Sequence, residues 1–240
     1  MYALVPLALA IAPGVGIAFY IYWKDTFDKE PRKLLIRCFL LGIFSILPAI
    51  ILEYVGFALL PVITFPITTF INAFFVIGLS EEFSKFLMLR FYAFPKKEFN
   101  EPFDGITYSV MVGMGFATLE NILYVDQHGM TTGVFRMFTA IPAHASFAVI
   151  MGYYMGLSKF RSNPLPAQML GLLLAVMLHG AYDFCLMVNS VPLIWLGAIL
   201  SLILGVRYSL KAIHLHQIHS PFNIIELRKK NVRNDNEGEI

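Results

Sequence analysis

From its first residues to about Leu210 the chain is a succession of long apolar runs, each followed by a connection that gathers the polar and basic residues. Runs of this length leave one solvent in which the chain can fold. A hydrocarbon layer about 30 Å thick takes about 20 helical residues to cross. Stretches at about 2–23, 34–60, 62–91, 105–125, 134–157, 167–188 and 191–210 are all long enough. Hydrophobic residues make up 58% of the 240 and charged residues only 14%, a balance foreign to water-soluble domains. Backbone groups have no water partner in lipid, so the spans must be helices, and continuous runs rather than strict alternation argue against a barrel. The expected fold class is all-α: a polytopic membrane protein of about seven transmembrane helices, with eight as the alternative count.

The basic residues set the orientation. Met1 to Trp23 lacks a basic leading region and is followed at once by Lys24, Lys29, Arg32 and Lys33, which marks an uncleaved span with its N-terminus outside. Arg90, Lys96 and Lys97 precede the fourth span, Lys159 and Arg161 the sixth, and Arg228, Lys229, Lys230 and Arg233 lie in the tail. The intervening connections carry only Arg136. This alternation places the C-terminus in the cytoplasm and fits an odd number of spans. Residues 1–211 then form the membrane domain, and 212–240 a polar, basic-then-acidic cytoplasmic tail. The net charge of +2 lies mostly in cytoplasmic connections and gives no support for a nucleic-acid partner. Cys38 and Cys185 fall near opposite ends of their helices, too far apart for a disulfide.

Charged groups inside a span cost about 3 kcal/mol each to insert, so those that persist are functional candidates facing an interior cavity. The densest group is Glu81-Glu82-Phe83-Ser84-Lys85 in the third span. Helical spacing lets the Lys85 ammonium reach either glutamate, neutralising one and positioning the other. In the fourth span Phe116 and Glu120 share a face, with Asn121 beside them. The fifth contributes His144, preceded by Pro142, whose ring can kink the helix where the imidazole projects. The sixth carries His179 and Asp183 four residues apart, so the carboxylate can orient the imidazole or the two can hold a cation or water together. Counting residues from the helix ends puts all these groups within about a turn or two of mid-membrane, so side chains from four helices are expected to converge. Glu53 and Asn72 read as supporting residues, and Gly113, Gly115, Gly152 and Gly156 as points of close helix approach. His214, His216 and His219 read as polar residues beyond the last span rather than a metal site.

Glu-Glu-x-x-Lys, then Phe-x-x-x-Glu-Asn, then a lone intramembrane histidine, then His-x-x-x-Asp, on successive apolar helices, resembles the PrsW family of bacterial intramembrane proteases. The resemblance runs from about Lys24 to Asp183 and takes in the Asp28-Lys29-Glu30-Pro31 stretch. It is similar to a wider group that includes the CAAX prenyl endopeptidases. It implies an endopeptidase of the bacterial cell membrane that makes the first cut in a single-span anti-sigma factor, with Glu81, Glu82, Lys85, Glu120, Asn121, His144, His179 and Asp183 at the site.

Two versions of the chemistry are open. In one, Glu82, tuned by Glu81 and Lys85, activates a water, while His144, His179 and Asn121 stabilise developing charge and Asp183 orients His179. In the other, Glu120, His144, His179 and Asp183 hold one divalent ion, zinc by its donor types, with a glutamate of the third span as base. The rival class is a proton-coupled transporter using the same residues as a relay, though no inverted repeat is visible.

Overall fold

The structure, a computed structural model, describes residues 4–60, 64–188 and 194–223, and every regular element among them is helical. The tail from 224 onward, and the ends of several expected spans at 2–3, 62–63 and 191–193, lie outside the described residues. Helix α1 covers Leu4–Lys24; α2, Arg32–Phe44; α3, Ile46–Leu59; α4, Ile67–Ile71; α5, Leu79–Met88. Next come α6, Pro102–His128; α7, Met130–Phe138; α8, Ala140–Lys159; α9, Leu165–Met187; and α10, Trp195–Ile218.

Six helical stretches among the described residues are long and apolar enough to cross a membrane: Val5–Lys24, Arg32–Leu59, Pro102–His128, Met130–Lys159, Leu165–Met187 and Trp195–Ile218. The third expected span is not one of them: Glu81, Glu82 and Lys85 crowd its middle and Arg90 lies at its end. It is nonetheless helical from Ile67 to Ala93, with α4 and α5 joined and extended by π-helical stretches at Asn72–Gly78 and Leu89–Ala93. A π turn holds more residues than an α turn and so rotates the helix beyond it; such turns cluster at functional sites. The outward faces of the long helices are apolar: Phe19, Phe44, Tyr54, Leu173 and Leu196 are all exposed. Against water such a surface would be costly, and against lipid chains it is matched. The chain is a polytopic membrane protein.

Two spans are broken, one at its middle and one in its first third. Between α2 and α3 the Ser45 hydroxyl turns back to donate to the Gly42 carbonyl at 2.7 Å, competing with the backbone ladder. Between α7 and α8 the break falls at Thr139 (φ −122°, ψ −76°). The expected kink therefore comes three residues before Pro142, which sits in the first turn of α8, where its missing N–H would have had no partner anyway.

Helix α6 is the core of the bundle, buried almost continuously from Phe103 to Thr118. It can sit among α1, α2 and α8 because its small residues let backbones touch. A Cβ on Gly105 would strike the Gly152 carbonyl and the Gly156 backbone of α8, and one on Gly115 would strike Phe39 of α2. The small residues singled out in α8 are thus a helix contact.

One end of the bundle collects the connections richest in lysine and arginine. Asn100 donates to Asp28 at 2.9 Å, Gln217 to the Lys24 carbonyl at 2.7 Å, and Lys159 to the Lys96 carbonyl at 3.2 Å. Beneath them lies a knot of buried acids that sequence reading passed over: Asp25, Glu30, Glu101 and Asp104. Glu101 and Asp104 form a reciprocal cap at the start of α6, Tyr108 donates to Glu30, and Ser220 donates to Glu101. Burial pushes Asp25 up to about 6, and Glu30 and Glu101 up to about 7. Helix α10 continues through residue 212 as far as Ile218, with Ala212, Ile213 and His216 buried. His216 stacks on Tyr153 at 4.2 Å while His214 is exposed, so the three histidines there do not converge. Cys38 and Cys185 are both free thiols.

Candidate active site

The ionisable residues of four spans meet in the opposite part of the bundle. On α5, Glu81, Glu82 and Lys85 all turn inward and are all buried. What brings α5 against α9 is a contact between glycines. A Cβ on Gly78 would lie 3.3 Å from the Gly180 nitrogen, and one on Gly180 would overlap the Phe74 ring. The π-helical run therefore lies directly on the turn of α9 that carries His179.

The resulting contacts form one continuous chain. The Lys85 ammonium donates to Glu82 Oε1 at 2.7 Å and to Glu81 Oε2 at 3.2 Å, and lies 3.2 Å from His144 Nδ1. It also sits 4.0 Å over the ring of Phe116, whose negative face favours a cation. An ammonium can only donate, so His144 Nδ1 accepts and its Nε2–H donates to Glu120 Oε2 at 2.9 Å. On the other side, His179 Nδ1 lies 2.9 Å from Glu82 Oε1 and its Nε2 lies 3.2 Å from Asp183 Oδ2. Carboxylates flank both nitrogens of this ring, so both donate in its protonated form. Phe147 stacks on His179 at 4.9 Å and fixes the ring plane.

Glu120 and Asp183 mark the wetter edge of the cluster, with side chains 16% and 20% exposed against 1% for Glu82. Glu82 is saturated by two short bonds, whereas Glu81 accepts only the longer one from Lys85, its other basic neighbour, His179 Nε2, standing 3.9 Å away. Glu53 of α3 is half-buried, on a helix that packs against α5.

Asn121 is not brought to the centre. Its amide donates to the Ala10 carbonyl of α1 at 3.1 Å and its oxygen accepts from Arg136 at 3.0 Å, which leaves it tying helices together instead of facing developing charge. Arg136 is the residue that sequence reading missed. Counted there as a loop charge, it lies in α7, binds Glu120 Oε2 at 2.7 Å and stacks 3.8 Å over Tyr124. The available signal was its position, a lone arginine on the side otherwise free of basic residues and next to a span holding an uncompensated Glu120.

A metal ion would find its donors here in a different set from the one expected. Among the described residues, Glu81, Glu82, His144 and His179 each offer a ligand atom within 4.8 Å of the other three. Glu120 and Asp183, expected as ligands, stand behind the two histidines as hydrogen-bond partners. The donor types fit: two imidazoles and two carboxylates, all buried, suit a zinc-like ion, with carboxylates behind the imidazoles as is usual for ligating histidines. The Lys85 ammonium supplies a stand-in. Donors from two of the three helices already converge on that single positive charge.

Comparison with known proteins agrees with this geometry. The family model described as PrsW family intramembrane metalloprotease matches residues 30–208. A protein named Protease PrsW from Geobacillus kaustophilus is 38% identical over 185 residues, covering 77% of this chain and 80% of that protein. Another of that name from Bacillus subtilis is 37% identical over 182 residues, 75% and 82% of the two chains, and one from Clostridioides difficile is 35% identical over 196, 75% and 79%. No solved structure matches the chain. The matched region holds every residue of the buried cluster, and the chain belongs to the PrsW family of intramembrane metalloproteases.

Proposed function

We propose that the buried centre on α5, α8 and α9 hydrolyses a peptide bond of a single-span membrane protein of the anti-sigma-factor type, in the bacterial cell membrane. The observation that carries this reading is the convergence of Glu81, Glu82, His144 and His179 within one set of ligand distances. The relay reading of the same residues loses to family membership. Seven crossings, counting Ile67–Ala93 as the third, with the N-terminus outside, fit the gathering of basic connections at one end of the bundle. The cluster then lies toward the extracytoplasmic side: Glu120 and Asp183 are within about three turns of the ends of their helices away from those connections.

Glu81 is the water-activating carboxylate in this reading, in place of Glu82. It is the less engaged of the two and the more accessible, so it can take a proton from an attacking water. Glu82 holds Lys85 and His179 in place. In the metal-free form Lys85 and a protonated His179 face the charge that develops on the scissile carbonyl oxygen. Asp183 orients His179 from behind, as Glu120 does His144. In the metal-bound form His179 would be neutral, and a divalent ion held by Glu81, Glu82, His144 and His179 would supply the Lewis-acid polarisation of that carbonyl in place of the two cationic groups.

The test is a purified-protein assay against a tagged single-span substrate, with metal analysis of the same preparation. Stoichiometric divalent metal, loss of cleavage on chelation and recovery on adding zinc are expected. Full activity in metal-free protein would leave the glutamate mechanism alone, and no cleavage under any metal would reject the substrate class.

A further inference from the structure

We propose that Arg136 is a positioning residue that fixes the tautomer of His144, so that the Nδ1 lone pair of that ring points into the Glu81–Glu82 centre. The inference rests on the reading of that centre as the site of hydrolysis.

Glu120 links Arg136 to the His144 ring. A carboxylate on a helix face can turn about its last torsions, and from α6 nothing but a partner fixes which oxygen meets the His144 ring. Arg136 supplies that partner. Its Nη2 binds Glu120 Oε2 at 2.7 Å, the same oxygen that lies 2.9 Å from His144 Nε2. Its Nε binds Asn121 Oδ1 at 3.0 Å, and the Asn121 amide is itself anchored on the Ala10 carbonyl of α1. The guanidinium plane is held a third way, 3.8 Å over the Tyr124 ring. Three fixed contacts on one planar group leave it a single orientation, which a lysine ammonium would not share.

The consequence reaches the centre through one ring. With Glu120 Oε2 held in place, His144 keeps its proton on Nε2, and Nδ1 is left as the acceptor 3.2 Å from Lys85 Nζ. The opposite tautomer would put an N–H against an ammonium and leave Nε2 with no proton for Glu120. It would also replace the lone pair that faces the centre, 3.2 Å from the ammonium held by Glu81 and Glu82, with an N–H. Arg136 reaches no group of the centre itself, and its side chain is 14% exposed, so small ions can reach it.

The experiment pairs a tautomer measurement with kinetics. Protein labelled with ¹⁵N-histidine in bicelles, with His144 assigned by a His144→Asn variant, should show a pyrrole-type Nε2 and a pyridine-type Nδ1. In Arg136→Met this pattern should mix or invert, and kcat should fall about 10- to 100-fold, the usual cost of removing a partner behind a ligating histidine, with KM nearly unchanged. Arg136→Lys should recover little. Free guanidinium added to Arg136→Gly should restore part of kcat while ammonium does not, which also keeps the test open if the methionine variant folds poorly. A wild-type tautomer pattern in Arg136→Met would overturn the proposal, as would a lost kcat that guanidinium cannot restore. The tautomer needs no catalysis to be read. If Glu81→Gln still cleaves substrate, the reading of the centre fails while the Arg136 result stands on its own.

Discussion

Replacing Lys85 by methionine tests whether the centre is held by its one ammonium. The substitution keeps most of the side-chain volume, so lost packing contributes less than about 1.5 kcal/mol. What disappears is a cation with donor bonds at 2.7 and 3.2 Å to two adjacent glutamates, and with His144 and the Phe116 face as its remaining partners. The side chains of Lys85 and Glu82 are 4% and 1% exposed, so little water replaces it. Removing one partner of a buried ion pair costs about 3–5 kcal/mol, and losing the desolvated cation–π contact about 2 more. Some relaxation of Glu81 toward its wetter side offsets part of this, leaving an expected loss of about 4 kcal/mol. The assay is denaturant-titrated unfolding in mixed micelles, run on chelator-treated protein so that no metal compensates. Lys85→Met/Glu82→Gln should recover roughly half of the loss, because one of the two adjacent carboxylates that share the buried site is then neutral. A Lys85→Met protein that unfolds within about 0.5 kcal/mol of wild type, the scatter of neutral surface changes, would refute the ammonium as the keystone of the cluster.

Other expectations concern regions away from the centre. Gly105→Ala should destabilise the α6–α8 contact by about 1–3 kcal/mol, read as a lowered thermal midpoint, because its methyl group meets α8 backbone that cannot swing aside. The acid knot should make its end of the bundle sensitive to pH. Burial raises Asp25 to about 6 and Glu30 and Glu101 to about 7, so the folded state holds protons that the unfolded chain has released. That stability is fully present below the ordinary carboxyl range and is lost as pH rises through 6 to 7. Amide exchange in residues 25–31 and 99–104 should accordingly be faster at pH 8 than at pH 5.5, beyond the intrinsic rate difference. Equal protection at the two values would show that those carboxylates titrate normally.

Much of the centre was legible in the linear sequence because helical periodicity is local. Lys85 follows Glu81 by four and Glu82 by three, and both bonds form. His179 precedes Asp183 by four, and its Nε2 meets that carboxylate at 3.2 Å. What spacing does not carry is the arrangement between helices. Which carboxylates stand beside the histidines and which stand behind them depends on the Gly78–Gly180 contact. That contact presses Glu81 and Glu82 inward and leaves Glu120 and Asp183 at the edge. The π-helical stretches at Asn72–Gly78 and Leu89–Ala93 leave no mark in composition; the first lies on α9 and α3 and the second on α6 and α2, contacts that join segments far apart in the chain. Asn121 looked like a donor for the site, yet its bonds run to Ala10 and Arg136, on segments distant in sequence. The knot around Glu30, Asp104 and Tyr108 escaped for the same reason, since its partners come from three separate segments at one end of the bundle.

The central claim is that Glu81 and Glu82 form the hydrolytic heart of the molecule. It is tested most directly by cleavage of a tagged single-span substrate in proteoliposomes containing wild type, Glu81→Gln or Glu82→Gln, each confirmed to be inserted and folded. The account predicts that wild type releases the truncated product. Glu81→Gln should release none above background while retaining a wild-type unfolding midpoint, and Glu82→Gln should lose both activity and part of its stability. Product released by Glu81→Gln at the wild-type rate would contradict it.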